Sequence, residues 1–100
     1  MAKPIIWSFR AQQDRKAILE YWIMHNQSNL YSKKLNQIFE DTAELVSRHP
    51  NIGKKTDVPE VRIKIIKDYY FTYREDVSHI EILTIWDSRR NPNQFIKTVS

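Results

Sequence analysis

Two short stretches of this chain carry charges from which chemistry could be built. In VRIK, Arg62 and Lys64 stand two residues apart, and after ILTIW the chain runs into DSRRNP, where Arg89 and Arg90 are adjacent. Guanidinium and ammonium groups at such positions hold phosphate or carboxylate oxygens. Between them lies YYFTYR, whose Tyr70 offers a ring on which a base can stack. Its phenol could serve as a general acid but hardly as a base. Arg62, Lys64, Tyr70, Arg89 and Arg90 are therefore the candidate catalytic or binding residues, and the four cations line one groove if their strands pair as a meander. The bland alternative is a solvated strand face, a solubilising strand end and a half-buried tyrosine.

Other chemistries lack their parts. His25, His49 and His79 have no metal-ligand spacing and no clustered carboxylates, so no metal is expected. Gly53 is the single glycine, too few for a phosphate loop or a dinucleotide fingerprint, and no cofactor is expected. There is no GxSxG elbow to present a serine nucleophile. The absence of cysteine excludes thiol chemistry and disulfides and fits a reducing compartment. The opening MAKPIIWSFR has no apolar signal region, and no stretch approaches the roughly 18 apolar residues that span a bilayer. A soluble cytoplasmic protein with no membrane partner is the expectation. The formal net charge of +4 favours an anionic partner.

These residues must be positioned by a scaffold, and its outline follows from periodicity. At 100 residues with 41% hydrophobic content, and with no repeat or linker, residues 1–100 form one domain. KPIIW, Lys3 to Trp7, reads as a short strand, and Ser8 can cap a helix of about 18 residues with an apolar stripe of Ile18, Tyr21, Trp22 and His25. NQSN turns the chain into a second helix, in which Tyr31, Leu35, Ile38, Phe39, Thr42, Leu45 and Val46 share a face up to the stop at HPNIG. From Val58 the period becomes two. Val61, Ile63 and Ile65 alternate with Arg62, Lys64 and Ile66, which predicts an apolar face and an opposite cationic one, with Tyr70 on the cationic side. Tyr69, Phe71 and Tyr73 then alternate with Tyr70, Thr72 and Arg74. HIEILTIW is apolar at nearly every position after Glu81 and reads as a central strand covered on both sides. The order is β-α-α-β-β-β: an α+β fold with a helical hairpin packed on a small, mainly antiparallel sheet.

In this order the pieces resemble the RelE/ParE superfamily of bacterial toxins from type II toxin-antitoxin systems. The resemblance rests on an N-terminal Trp strand, a helical hairpin ending HPNIG, VRIKIIKDYYFTYR, and the closing IEILTIWDSRRNP, and spans roughly residues 5 to 92. It implies a small toxin that arrests growth and is neutralised by a co-encoded antitoxin. RelE-like members cleave messenger RNA on the ribosome without metal, their lysines and arginines holding phosphate. On that pattern Arg62 and Lys64 match basic positions and Arg89 or Arg90 resembles the arginine after the last strand. Tyr70 departs from it, standing where those ribonucleases carry arginine. Beyond Pro92, Gln94 and Phe95 stand where a tyrosine acid or base would be wanted. ParE-like members act instead on DNA gyrase, with no enzyme activity of their own, and an ending of the RRxP form is closer to that branch. The alternative from another class is a small non-toxic module that binds nucleic acid or protein through the same basic groove. An acidic reading frame immediately beside this one separates the two.

Overall fold

A computed structural model of the chain describes residues 2–90 and 93–95. The elements run β1 (Ile5–Trp7), α1 (Phe9–Asn26), α2 (Leu30–Arg48), β2 (Lys54–Lys55), β3 (Val61–Ile66), β4 (Tyr69–Glu75) and β5 (Ile80–Asp87). One five-stranded sheet has the order β1-β5-β4-β3-β2; β1 joins β5 in parallel and the other neighbours are antiparallel. The α+β arrangement matches the sequence reading, apart from β2, whose two exposed lysines carry no apolar alternation.

The start of α1 closes an open sheet edge. Ser8 caps the helix, its Oγ accepting the Ala11 N–H at 3.0 Å, and the same hydroxyl donates to Leu83 O at 2.9 Å. Because β1 ends at Trp7, the stretch of β5 beyond Ile82 has no strand on that side. The Asp14 carboxylate stands in for one, accepting the Ile85 N–H at 3.2 Å and the Thr84 hydroxyl. At the other end Gln27 takes the left-handed conformation (φ 51°) and ends the helix. The expected stripe on α1 is displaced: Ile18, Leu19 and Trp22 pack on the core, whereas Tyr21 and His25 are exposed and stack on each other, ring centres 5.5 Å apart. On α2 Leu35, Phe39, Thr42 and Val46 of the expected stripe are buried, with Tyr31 and Ile38 packed beside them; Leu45 is only half-buried, and Ala43, outside the stripe as read, is buried as well.

The sheet has two apolar faces. Against the helices lie Ile66, Tyr69, Phe71, Tyr73, Ile80, Ile82 and Ile85. A bulge where Thr72 and Tyr73 meet Thr84 and Ile82 leaves Leu83 over, which lets Ile82 and Ile85 serve the same face. The far face carries a smaller cluster of Val61, Trp86 and Phe95, with Ile63, Tyr70 and Leu83 packed beside it. β5 lies between β1 and β4, the central place its composition predicts.

Candidate functional site

The last strand ends in a hook closed on itself. The Asp87 carboxylate accepts the Arg89 backbone N–H at 2.9 Å, its Nε at 3.0 Å and its Nη2 at 2.9 Å. Arg90 N–H returns to Asp87 O at 3.0 Å, and Ser88 N–H reaches Asp68 O at 2.7 Å. This two-pronged pairing pulls the Asp87 pKa below the usual carboxylate value and raises that of the exposed Arg89. Arg90 goes elsewhere: its guanidinium lies 4.3 Å from the centre of the Trp86 ring, with Arg10 5.9 Å from the same ring. The two neighbouring arginines thus have different partners, one a carboxylate and the other an indole face. Pro92, expected to stop the strand, lies outside the described residues.

The remaining sequence candidates do not converge with this pair. Residues directly paired across strands share a face. Arg62 stands opposite Tyr73, Lys64 opposite Phe71 and Ile66 opposite Tyr69, so the cations of β3 lie on the face that packs against the helices. Tyr70 stands opposite Ile65 and belongs to the far face, where its ring centre is 5.4 Å from that of Phe95. The expectation that Tyr70 shares the cationic face is corrected by this register. Nor do the four cations line one groove. Tyr73, opposite Arg62, lies four residues along β4 from Tyr69, which faces Asp87; four residues span about 13 Å. Arg62 is engaged locally, donating to Gly53 O at 2.9 Å and to Asn51 O at 3.3 Å. The Lys64 side chain is half-buried and makes no ion pair or hydrogen bond among the described residues.

Sequence reading missed the wall that faces the hook. Ala17, Ile18 and Tyr21 of α1, with Tyr69, Asp87, Arg89 and Arg90, bound a cleft of about 400 Å³. The Tyr69 hydroxyl accepts the Trp22 Nε1–H at 3.0 Å, and burial raises its pKa above the ordinary tyrosine value. Tyr21 is 55% exposed and Met24, nearly one turn on, 78%. An aspartate two residues before an arginine was the available signal for the hook; nothing in the local pattern placed α1 opposite it. Among the described residues no group of three or more His, Cys, Asp or Glu side chains is arranged to hold a metal ion, and no helix is long and apolar enough to cross a membrane. The cleft thus sets a carboxylate-paired guanidinium, Arg89, and the neighbouring Arg90 beside an aromatic and aliphatic wall.

Comparison with known proteins follows the fold. Among curated proteins none matches the sequence. Among solved structures, one described as the chromosomal ParDE TA system from P. aeruginosa superposes with a TM-score of 0.74 at 19% identity, covering 86% of this chain and 96% of that one. That likeness is one of fold. The model of the family described as the ParE toxin of type II toxin-antitoxin system, parDE, matches residues 5–92, nearly the whole described chain. The chain belongs to the ParE toxin family of type II toxin-antitoxin systems.

Proposed function

We propose that this toxin arrests growth by acting on DNA gyrase, that it does so in the cytoplasm, and that a co-encoded antitoxin neutralises it by binding its surface. The observation that carries the choice of target is the register of β3 and β4, which puts Tyr70 on the sheet face opposite Arg62 and Lys64. Cleaving RNA needs a proton-handling group within hydrogen-bond reach of the phosphate that the cations hold. Here the phenol and the β3 cations are separated by the sheet itself, and Arg62 is already committed to the carbonyls of residues 51 and 53. A binding toxin needs no such constellation. The family match and the solved ParDE relative support an antitoxin partner.

The test is induced expression with and without the adjacent reading frame, followed by parallel mapping of ribosome-bound mRNA ends and of plasmid topology. Growth arrest with intact mRNA and relaxed plasmid, relieved by the adjacent frame, is the expected outcome. New mRNA ends that disappear on Tyr70→Phe would overturn the gyrase reading in favour of the ribonuclease one. Unimpeded growth would leave the non-toxic binding module.

A further inference from the structure

The outer edge of the sheet at β1 is open. β1 is the last strand on its side, with β5 as its one neighbour. The Ile80 N–H donates to Pro4 O and the Ser8 N–H to Ile82 O, both at 2.9 Å, so the even-numbered residues here turn their backbone groups toward β5 and the odd-numbered ones turn theirs away. Of the outward groups, the Lys3 N–H is taken by Ser47 O at 3.3 Å, where the end of α2 lies against the chain. Those of Ile5 and Trp7 have no partner among the described residues. This open stretch faces a wall. Ile5 and Trp7 line a groove of about 550 Å³ whose other side is α2, through Gln37, Glu40, Asp41 and Glu44. Cations from outside the lining answer two of these acids, Arg15 pairing with Glu40 at 3.1 Å and Arg48 with Glu44. Asp41 accepts the neutral Gln37 side-chain amide at 2.9 Å and has no ion pair among the described residues. On the other face of β1 the Ile6 side chain is 48% exposed.

We propose that a strand-like segment of gyrase adds to the β1 edge, bonding to the backbone of Ile5 and Trp7, with a lysine or arginine directed at Asp41 and an apolar neighbour packed on Ile6. Successive residues of an added strand alternate between the faces, so those alongside Ile5 and Trp7 meet the acidic wall and the one between them lies alongside Ile6. The inference rests on gyrase as the target and names the kind of segment the toxin grips. Charge decides among the occupants. A second copy of the chain would set two acidic α2 rows against each other across the paired edges. An acidic antitoxin, the kind that a net charge of +4 favours, would meet like charge there.

The measurement is backbone hydrogen exchange of the full-length toxin, alone and with purified gyrase, read on the fragment from Ile5 to Ser8. Supercoiling inhibition by wild type, Asp41→Lys and Ile6→Thr is titrated beside it at two salt concentrations. Because Ile6 and Ser8 already bond to β5, exchange that gyrase slows in this fragment belongs to Ile5 and Trp7. The expected slowing is about tenfold or more. Asp41→Lys should raise the toxin concentration for half inhibition by roughly threefold to tenfold at low salt and by less at high salt. Ile6→Thr, which keeps a β-branched residue, should raise it by about threefold at both. The exchange reading uses the wild type, so it stands even if a variant folds poorly. Inhibited gyrase with the β1 amides still exchanging freely, and both variants as potent as wild type, overturns this inference and leaves the gyrase reading intact. A toxin that arrests growth but neither binds nor inhibits gyrase overturns both. Protection of the same amides by the adjacent-frame product, or by raising the toxin concentration alone, with none from gyrase, would assign the edge to the antitoxin or to a second copy and overturn the assignment to gyrase.

Discussion

Replacing Arg62 with alanine separates a structural from a catalytic role, because the two readings predict opposite results. On a solvated strand face the change would alter stability by no more than about 0.5 kcal/mol. In the fold the guanidinium ties down the loop after α2, through 2.9 Å to Gly53 O and 3.3 Å to Asn51 O. A hydrogen bond from a charged donor contributes about 1.5–3 kcal/mol. The longer contact lies at the weak end of the range, and Arg62 is half-exposed, so water can rehydrate the carbonyls once the side chain is gone. The expected loss is about 1–2 kcal/mol, which for a domain of this size lowers the melting temperature by roughly 5–15 °C. Urea denaturation followed by tryptophan fluorescence gives the number, with Lys64→Ala, lacking any such partner, as the near-neutral control. Both bonds leave from the same Nη1, so Arg62→Lys should recover part of the loss, its shorter ammonium keeping the charge and one carbonyl contact. If Arg62→Ala leaves the midpoint within 0.5 kcal/mol of wild type while abolishing growth arrest, the loop clamp is not its role and the cation belongs to the working surface.

The same loop makes a second prediction. The buried Tyr73 hydroxyl accepts the Gly53 N–H at 2.9 Å and donates to Pro50 O at 2.7 Å, so Tyr73→Phe orphans two backbone groups and should cost about 2–4 kcal/mol in urea unfolding; a cost below 1 kcal/mol would show that water replaces the hydroxyl. Gly53→Ala should destabilise by about 1–3 kcal/mol, because its Cβ would lie 2.8 Å from the Tyr73 hydroxyl and 2.9 Å from Ile63 O, a backbone atom that cannot swing aside. Burial raises the pKa of Tyr73 above 10.0, so the folded state holds this proton more tightly: the associated stability is fully present below pH 10 and is lost as pH rises through the folded value. Alkaline unfolding of Tyr73→Phe should lack that component. For Asp87, held by Arg89 below the reference value of 3.8, the sign reverses; its contribution is present above that value and is lost as pH falls through the folded pKa, and an acid limb unchanged in Asp87→Asn would contradict it. Lys67 turns the β3–β4 corner at φ 53°, so Lys67→Gly should stabilise by about 0.5–1 kcal/mol, whereas a loss would mean that chain entropy in the unfolded state outweighs relief of the left-handed strain.

Much of the scaffold was legible because it is written in period. The apolar positions of α2 repeat at helical spacing and most are buried as read, and the composition of β5 announced its central place. Alternation in VRIKII correctly grouped Arg62 with Lys64 and Ile66, and Val61 with Ile63 and Ile65. It could not say which group meets the helices, because both faces of this sheet are apolar. The helical layer is centred on β1 and β5, so toward β3 the core face tolerates cations, while the far face collects Val61, Ile63, Trp86 and Phe95. From that ambiguity came the misplacement of Tyr70; the single groove fails for a different reason, the length of strand between Arg62 and Asp87. The Asp87–Arg89 hook is local and readable in DSR; the wall opposite it comes from a helix some 70 residues earlier and depends on tertiary packing alone, as the 70-residue separation of Thr84 from its partner Asp14 illustrates.

The most direct measurement is ATP-dependent supercoiling of relaxed plasmid by purified DNA gyrase in the presence of this toxin, with the adjacent-frame product added in a parallel series. Inhibition is expected at toxin concentrations near those of the enzyme, with supercoiling restored at equimolar antitoxin and no cleavage of ribosome-bound mRNA by the same preparation. Full supercoiling at a large excess of a toxin preparation that still arrests growth, together with cut mRNA, would contradict it.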